Sequence, residues 1–411
     1  MRDANAVIIG AGQAGLAASF HLGRMGIDHV VLEQGRVAET WRSRRWDAFT
    51  LVSPNWTFDL PGFPYDGPDP DDFMDLDEIV GRFERYADIV SPPLETGVRV
   101  LALRHDDSSG KFHLRTSAGN LTARHVVVAT GAYQRPRVPR TSLSSRVQQL
   151  HTDGYRRPDQ LPGGGVLVVG SGQSGCQIAE ELCEAGRTVH LSTGSCGWLP
   201  RRYRGRDNVA WRVEMGVFND TLDVLPNLHA RTACPAIQTG RGAGRDLNLW
   251  TLAERGVILA GRFADAQENI VHFAGDLDAN IAACNATAER WRQSVDVYIE
   301  TAGLAAPVEP DLPRPPRLFG IEFLDLAKAG VSTVLWATGY NLDFSWIDLD
   351  LFDADGYPIQ KQGISPCPGL YFVGLHWMYK RKSGVIFGVG EDAENVCRHI
   401  AIRLGTSPVI A

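Results

Sequence analysis

The chain has 411 residues, and its 41 Lys and Arg residues against 48 Asp and Glu residues leave a formal net charge of −7. An acidic chain lacks the basic surplus that neutralises phosphates, so the composition disfavours a nucleic-acid-binding protein. Hydrophobic residues make up 44% and charged residues 22%, which is typical of a globular chain and predicts two or three domains at this length.

The same composition bears on compartment. The longest apolar runs, at 6–9 and 165–169, are far shorter than the roughly 18 residues of a membrane span, so no transmembrane helix is expected. The first residues do not form a basic segment followed by an apolar one, which predicts a cytoplasmic protein. Seven cysteines without a Cys-x-x-Cys pair argue against a disulfide framework and a zinc site, and Cys176 and Cys183 are interpreted as buried thiols.

A strand, a glycine-rich turn and a helix open the chain. The apolar run at 7–9 leads into Gly10-Ala11-Gly12-Gln13-Ala14-Gly15, a helical pattern continues to residue 22, and a second strand follows at 29–32. Glycines at these positions let the backbone approach a pyrophosphate, and the free N–H groups of the helix N-terminus bind it. Glu33 follows the second strand and is predicted to accept a hydrogen bond from a ribose hydroxyl.

A β-meander is predicted next, with strands near 98–101 and 111–114. The apolar strand at 126–128 then ends in Ala129-Thr130-Gly131, where small residues let the chain leave the strand close to a cofactor. A second strand with the same ending stands at 334–336, followed by Ala337-Thr338-Gly339.

The strand–turn–helix pattern recurs at 166–182, with Gly170-Ser171-Gly172-Gln173-Ser174-Gly175 as its turn and a further strand at 188–191. An NAD site would place an acid near Ser192, 22 residues beyond Gly170, but none stands there. We therefore expect NADPH, with Ser192 and either Arg201 or Arg202 contacting its 2′-phosphate; a solvated arginine loop is the alternative.

The remaining segments carry weaker patterns. Residues 205–310 are interpreted as an elaboration of the second unit that includes an Ala-rich helix at 278–290, and the Pro-rich stretch 311–316 as a connector. Four tryptophans could line an aromatic pocket or pack in the core: Trp198, Trp211, Trp250 and Trp291.

Together with the C-terminal run at 368–374, these motifs resemble the two-dinucleotide-binding-domain flavoproteins and, more narrowly, the single-component (class B) flavin-dependent monooxygenases. The resemblance covers nearly the whole chain. The chain is also similar to a bacterial branch of the family labelled as flavoproteins of cation transport. It implies an α/β fold with two Rossmann-like domains. The FAD domain would be discontinuous, at 1–155 and 325–411, and would contain the β-meander; the NADPH domain would span 156–324.

The resemblance also assigns site residues. Asn55 and Lys382 are the expected catalytic residues, Asn55 as a non-titrating amide beside the flavin, and Ser383 is expected to cap a helix at 385–400 whose N-terminus points at the flavin. The residues expected to bind FAD or NADPH are Gly10, Gly12, Gln13, Gly15, Glu33, Gln34, Trp41, Arg42, Trp46, Val100, Ala129, Thr130, Gly131, Gly170, Ser171, Gly172, Gln173, Ser174, Gly175, Ser192, Arg201, Arg202, Thr338, Gly339, Gly374, Leu375 and Ser383.

One family motif is only half kept. Members carry Phe-x-Gly-x-x-x-His-x-x-x-Phe/Tyr before the second glycine-rich turn, and this chain keeps His151 and Tyr155 but has Ser145 and Val147 in place of Phe and Gly. The tyrosine favours oxidation of a heteroatom over Baeyer–Villiger insertion.

The expected reaction is therefore an NADPH-dependent oxygenation through a C4a-(hydro)peroxyflavin, with O2 and a small organic substrate attacked at nitrogen or sulfur. The alternatives are a Baeyer–Villiger monooxygenase, an NADPH-dependent flavin reductase or oxidase that passes electrons to a quinone or a protein partner, and a flavin-binding sensor. A disulfide reductase is disfavoured because the sequence shows no redox cysteine pair. Substrate identity and assembly into a homo-oligomer are left open.

Overall fold

A computed structural model describes residues 2–312 and 318–406 of the chain. The expected mixed α/β fold is confirmed. Most of the Pro-rich connector, from Pro313 to Pro316, lies outside the described residues.

The helices are α1 (Gln13–Arg24), α2 (Glu39–Ser43), α3 (Leu76–Val90), α4 (Gln173–Glu184), α5 (Asn208–Glu214), α6 (Arg241–Gly244), α7 (Leu249–Glu254), α8 (Leu277–Ala302) and α9 (Ile386–Arg403). The strands are β1 (Arg2–Ile9), β2 (His29–Glu33), β3 (Leu94–Thr96), β4 (Val100–Asp106), β5 (Lys111–Thr116), β6 (Gly119–Val128), β7 (Arg135–Pro136), β8 (Ser142–Leu143), β9 (Gln148–His151), β10 (Gly165–Val169), β11 (Val189–Ser192), β12 (Arg202–Tyr203), β13 (Arg206–Asp207), β14 (Ile258–Ala260), β15 (Phe263–Glu268), β16 (Ile270–Phe273), β17 (Phe323–Asp325), β18 (Val331–Trp336), β19 (Tyr340–Asn341) and β20 (Leu370–Phe372).

The first sheet combines a parallel and an antiparallel part. Its order is β3-β2-β1-β6-β5-β4, with β20 also paired to β6. Strands β4, β5 and β6 are antiparallel neighbours, which confirms the predicted β-meander. Because β20 comes from the C-terminal part of the chain and pairs parallel to β6, the first unit is discontinuous, as expected.

The second sheet is parallel in all its described pairs and has the order β14-β11-β10-β18-β9. Strand β18 lies beside β10 as β6 lies beside β1, so the two Ala-Thr-Gly segments stand at equivalent places. The predicted domain boundaries differ from this arrangement. Strands β9 and β18 were expected in the FAD domain, but their pairing with β10 and with each other places them in the second unit.

The elaboration near 205–310 contributes more than helices. It supplies β14 to the second sheet, and β15 and β16 to a small sheet of order β17-β16-β15-β8. The predicted Ala-rich helix is part of the longer α8, which ends at Ala302 and is followed by Gly303 at φ +63°. Short α6 is irregular, since Gly242 and Ala243 inside it have positive φ angles.

The helices that follow the two glycine-rich turns are held by apolar packing. In α1 the buried side chains include Leu16, Ala17 and Leu22, and α9 packs along this helix, where the Cys397 thiol donates to the Ala18 carbonyl at 3.4 Å. None of the helices in the described part of the chain combines the length and apolar character needed to cross a bilayer.

Replacing Gly15 with alanine is expected to lower the thermal midpoint. A Cβ at Gly15 would stand 1.8 Å from the Gly10 carbonyl oxygen, so the turn or the helix must shift, at a cost of about 1–3 kcal/mol. Gly23→Ala is the matched control, because it lies in the same helix with nothing within 4 Å of the new Cβ. Thermal unfolding should show Gly23→Ala unchanged or stabilised and Gly15→Ala destabilised. Equal midpoints for the two variants would contradict this account of the turn.

Candidate functional site

The first glycine-rich turn leaves the N-terminus of α1 open at the end of β1. Gly10 has φ +110°, a conformation that favours glycine, and Gly15 packs against the Gly10 carbonyl so that α1 begins immediately after the strand. No side chain caps α1 at Gly12, so the first amides of the helix keep their capacity to bind a ligand. A Cβ at Gly12 would have no atom within 4 Å, so no protein packing requires glycine there.

Glu33 stands beside this turn at the end of β2. It is 8% exposed, and its two carboxylate oxygens accept from the Ala11 and Gly35 N–H groups, each at 2.8 Å. The backbone bonds hold the carboxylate next to the turn, and each oxygen keeps a lone pair that could accept from a ribose hydroxyl. Gln34, the next residue, is exposed.

The Ala-Thr-Gly segments come close to the two turns. A Cβ on Gly10 would meet the Ala129 carbonyl oxygen at 2.7 Å, and one on Gly170 would meet the Ala337 carbonyl oxygen at 2.5 Å. These contacts leave room for glycine alone at the two turns. The threonines of the two segments, Thr130 and Thr338, lie just beyond the carboxyl ends of β6 and β18. Each precedes a glycine with positive φ, Gly131 and Gly339.

The second turn has the same backbone as the first but different surroundings. Gly170 has φ +108°, and a Cβ on Gly175 would stand 1.8 Å from the Gly170 carbonyl oxygen. At Gly172, however, a Cβ would meet the Cys234 sulfur at 2.9 Å. The Gln173 side chain, expected to contact a cofactor, exchanges hydrogen bonds with the Gln238 backbone. A segment from the elaboration therefore covers the N-terminus of α4.

Strand register corrects the expected position of the ribose-facing residue in the second unit. The Gly10 N–H donates to the Leu32 carbonyl, and the Gly170 N–H donates to the Ser192 carbonyl, so Ser192 corresponds to Leu32. Thr193 is thus the counterpart of Glu33. The spacing of 23 residues from Gly10 to Glu33, applied to Gly170, would have found it. Ser192 is 1% exposed and donates to the Gly261 carbonyl at 3.0 Å.

Arg201 does not face the second turn as a free cation, contrary to expectation. Its guanidinium is 2% exposed, pairs with Asp207 at 2.8 Å and donates to the Val52 carbonyl at 2.8 Å. The group also lies over the Phe73 ring, 4.9 Å from the centroid. Arg201 therefore joins the second unit to the 52–73 segment of the first, whereas Arg202 is exposed in the β12–β13 hairpin.

The hydrogen-bonding groups of the Asn55 side chain already have partners within the protein. Its amide donates to the Asp69 carbonyl at 2.9 Å and accepts from the Met74 N–H at 2.7 Å, and the residue is 4% exposed. These bonds fasten the 65–74 loop. The geometry therefore favours the interpretation of Asn55 as a residue that shapes the loop over that of an amide free to contact a flavin.

The tryptophan and arginine side chains after β2 that were expected to bind a cofactor contact other parts of the protein instead. Trp41 packs against Phe83 and Phe49, and Trp46 is 3% exposed beside Phe49. Arg42 donates to the Val37 carbonyl at 3.1 Å and pairs with Glu84.

The C-terminal segment closes on the first turn. A Cβ on Gly374 would stand 2.5 Å from the Ala14 Cβ, and the Gln13 amide donates to the Gly384 carbonyl at 3.1 Å. Leu375 is 3% exposed. Ser383 does not cap α9; its hydroxyl accepts from the backbone N–H groups of Tyr379 and Lys380 at 3.1 and 3.0 Å.

Lys382, near the end of this C-terminal segment, lines a cavity of about 210 Å³. Its ammonium pairs with Glu391 at 2.8 Å, and Lys380 pairs with the same carboxylate. Neighbouring Asp392 is 4% exposed, and burial raises its pKa to about 6. The other residues that line the cavity are Trp56, Asp59, Val213, Phe218, Asn219 and Phe387.

The four tryptophans considered as pocket residues do not line this cavity. Trp198, Trp211 and Trp250 are 1%, 1% and 5% exposed and pack in the core. Trp291 packs against the Tyr203 ring, and the tryptophan that lines the cavity is Trp56. A larger groove of about 620 Å³ runs along 101–104, 115 and 345–350, on the outer strands of the first sheet.

The two residues that the chain keeps from the family motif, His151 and Tyr155, lie where the chain passes from the first unit into the second. The His151 Nε2–H donates to the Gly339 carbonyl at 3.1 Å, while its Nδ1 accepts from the Asp153 N–H. Burial lowers the pKa of His151, which keeps the ring neutral. Tyr155 is fully buried beside Glu181, whose pKa burial raises to about 7.

The structure also brings together two thiols that the sequence did not predict as a pair. Cys196 and Cys234 both donate to the Pro235 carbonyl, each with a sulfur–oxygen distance of 3.3 Å. They are 38 residues apart in the sequence, so no short cysteine motif predicts the pair.

Comparison with known proteins agrees with this geometry. Residues 7–223 match the family model described as pyridine nucleotide-disulphide oxidoreductase. A protein of Geobacillus kaustophilus named uncharacterized oxidoreductase CzcO-like is 33% identical over 401 residues, which cover 96% of this chain and 97% of that protein. Indole-3-pyruvate monooxygenase YUCCA4 of Oryza sativa subsp. japonica is 27% identical over 446 residues, covering 97% and 88%.

Among solved structures, a flavin-containing monooxygenase from Stenotrophomonas maltophilia superposes with a TM-score of 0.67 at 18% identity, covering 98% of this chain and 100% of that one. This match shows the shared fold. The expected resemblance to flavin-dependent monooxygenases is confirmed as a likeness to these relatives in sequence and to this structure in fold. Because the family model matches more than half of the chain, the chain belongs to the pyridine nucleotide-disulphide oxidoreductase family and is an oxidoreductase.

Proposed function

We propose that the chain is an FAD-containing, NADPH-dependent monooxygenase that uses O2 to oxygenate a small organic substrate at nitrogen or sulfur, in the cytoplasm. The observation that carries the proposal is the pair of equivalent glycine-rich turns, each at the carboxyl end of a strand with parallel neighbours and each opening a helix. The monooxygenase names of relatives that match nearly the whole chain support it.

FAD is assigned to the first turn. The open space at Gly12 fits a pyrophosphate, the free amides of α1 fit its charge, and the Glu33 carboxylate fits a ribose hydroxyl. When bound, the flavin would supply hydride acceptance and oxygen activation. The segment 374–384, which reaches α1 through Gly374 and Gln13, would close this site.

The cavity beside Lys382 is the proposed place for the substrate. Trp56, Phe218 and Phe387 offer it apolar contact, while Lys382 and Asp59 supply polar groups at its wall. Because Glu391 already pairs with Lys382, this ammonium can donate a hydrogen bond without bringing an uncompensated charge. Lys382 is retained as the proposed catalytic residue on these grounds.

NADPH is assigned to the second turn, with a different phosphate contact from the one expected from the sequence. Neither Ser192 nor Thr193 is acidic, so a 2′-phosphate meets no repulsion where Glu33 stands in the first unit. Arg262 follows β14, the neighbour of β11, directly after the Gly261 carbonyl that Ser192 contacts. Its side chain is 59% exposed and only loosely paired with Asp276, at 3.6 Å.

The reaction class is tested by reducing the purified protein with NADPH without oxygen and then admitting O2, with a thioether, an amine or a cyclic ketone present. A monooxygenase transfers an atom of isotopically labelled O2 to the thioether or amine and releases little peroxide. Transfer to the ketone alone would instead favour Baeyer–Villiger chemistry. Stoichiometric peroxide with all three, or oxidation of NADPH that depends on a quinone, would overturn the proposal in favour of an oxidase or reductase.

Gly12→Val is expected to give a folded protein without FAD. A Cβ at this position has no protein atom within 4 Å, so we expect the fold to accept the side chain, which fills the space assigned to the pyrophosphate. Gly23→Val is the matched control, since it makes the same replacement at an open position at the far end of α1. Flavin absorbance per chain and thermal midpoint are measured for both. A folded Gly12→Val protein with a full complement of FAD would refute the assignment.

Arg262→Ala is expected to raise the KM for NADPH about 10- to 100-fold while leaving the KM for NADH unchanged, because one charge-assisted hydrogen bond to the 2′-phosphate is lost. Arg115→Ala, at an exposed position of β5, is the control and should change neither constant. Arg201→Ala should instead lower the thermal midpoint, because it leaves Asp207 without its partner. Equal use of both coenzymes by the unmodified protein would show that Arg262 has no such role.

A further inference from the structure

The Cys234 sulfur stands where a ligand of the second turn would bind. It lies 2.9 Å from the position of a Cβ on Gly172, the residue that precedes the first residue of α4. The corresponding place in the first turn, beside Gly12, is open. A sulfur atom thus occupies the place beside the second glycine where a pyrophosphate would approach the helix N-terminus.

Cys196 lies directly beside Cys234. The two thiols share the Pro235 carbonyl as an acceptor, each with a sulfur–oxygen distance of 3.3 Å. The backbone next to Cys196 is fixed, because the Ile237 N–H donates to the Gly197 carbonyl at 2.7 Å and Trp198 pairs with Ile237 in parallel. By contrast, residues 232–235 are exposed.

The surroundings make Cys234 the more nucleophilic thiol. The neighbouring Cys196 thiol and the backbone N–H of Gln173 lower the pKa of Cys234, whereas the pKa of Cys196 is raised. A thiolate at a helix N-terminus is stabilised by the same partial positive charge that binds an anion. Cys234 therefore combines an exposed position with a lowered pKa, as reactive cysteines do.

We propose that Cys196 and Cys234 form a peroxide-sensitive dithiol site, whose oxidation to a disulfide locks the Cys234 sulfur over the second turn and weakens the binding of NADPH. In the dithiol state, the exposed segment can move aside when the pyrophosphate arrives. In the disulfide state, the bond to Cys196 holds the sulfur beside Gly172.

The chemistry balances with hydrogen peroxide as the oxidant. The Cys234 thiolate attacks one peroxide oxygen, so an S–O bond forms, the O–O bond breaks and hydroxide leaves to become water. The Cys196 sulfur then attacks the Cys234 sulfur, so the S–S bond forms, the S–O bond breaks and a second water leaves with the Cys196 proton. Two thiols supply the two electrons. The effect on NADPH rests on the proposed function, but the thiol chemistry does not.

The test treats the FAD-loaded protein with a small molar excess of hydrogen peroxide and then maps disulfides by mass spectrometry. The expected result is a peptide pair linked through Cys196 and Cys234, which is lost on treatment with dithiothreitol. The dissociation constant for NADP⁺, measured by calorimetry, should rise about tenfold or more on oxidation, while flavin absorbance stays the same.

Cys196→Ser and Cys234→Ser should each abolish this response to peroxide. Cys183→Ser is the matched control, because this thiol lies at the other end of α4 and donates to the Arg255 carbonyl; it should respond as the unmodified protein does. Oxidation without the linked peptides, or a disulfide that leaves NADP⁺ affinity unchanged, would overturn the proposal. If the reduced protein binds no NADP⁺, the proposed function fails, and the peptide map still decides whether the dithiol site exists.

Discussion

The rest of the structure depends on the contact of one glycine with the carbonyl of another. Gly15 lies against the Gly10 oxygen, and Gly175 lies against the Gly170 oxygen, with no room for a Cβ in either case. Each helix can therefore start within a few residues of its strand. As a result, the first amides of each helix stand at the end of the sheet where the parallel neighbouring strands also end. Glu33 and Ala129 reach the first turn because of this placement.

The same local sequence pattern does not produce the same local environment. Both turns have nearly identical φ angles at their first glycine, yet Gly12 faces open space and Gly172 faces Cys234. The difference comes from a segment about sixty residues further along the chain, which the Gln173 side chain binds through the backbone of Gln238. Access to the second turn is thus a property of the elaboration rather than of the turn itself.

Prediction from sequence succeeded where a feature depends on neighbours in the chain. The two turns, the β-meander and the paired Ala-Thr-Gly strands follow from short patterns whose physical requirements are local. Prediction was weaker where side chains choose among distant partners. Arg201 lies in an arginine-rich loop that suggested phosphate binding, but Asp207 and the Val52 carbonyl neutralise and bury it. The place of β18 in the second sheet was misjudged because strand pairing across more than 150 residues leaves no mark in its sequence.

Strand β20 and helix α9 have a consequence for how the chain assembles. Both belong to the first unit, where β20 pairs with β6 and α9 packs on α1, although the whole second unit separates them from those partners in sequence. During synthesis, β1, α1 and β6 emerge long before the elements that cover them. The second unit, whose sheet ends at Trp336, can be completed while the first still exposes the apolar side of α1. The first unit is therefore the last to become protected from water and from aggregation, and no cut between the two units yields a self-sufficient N-terminal half.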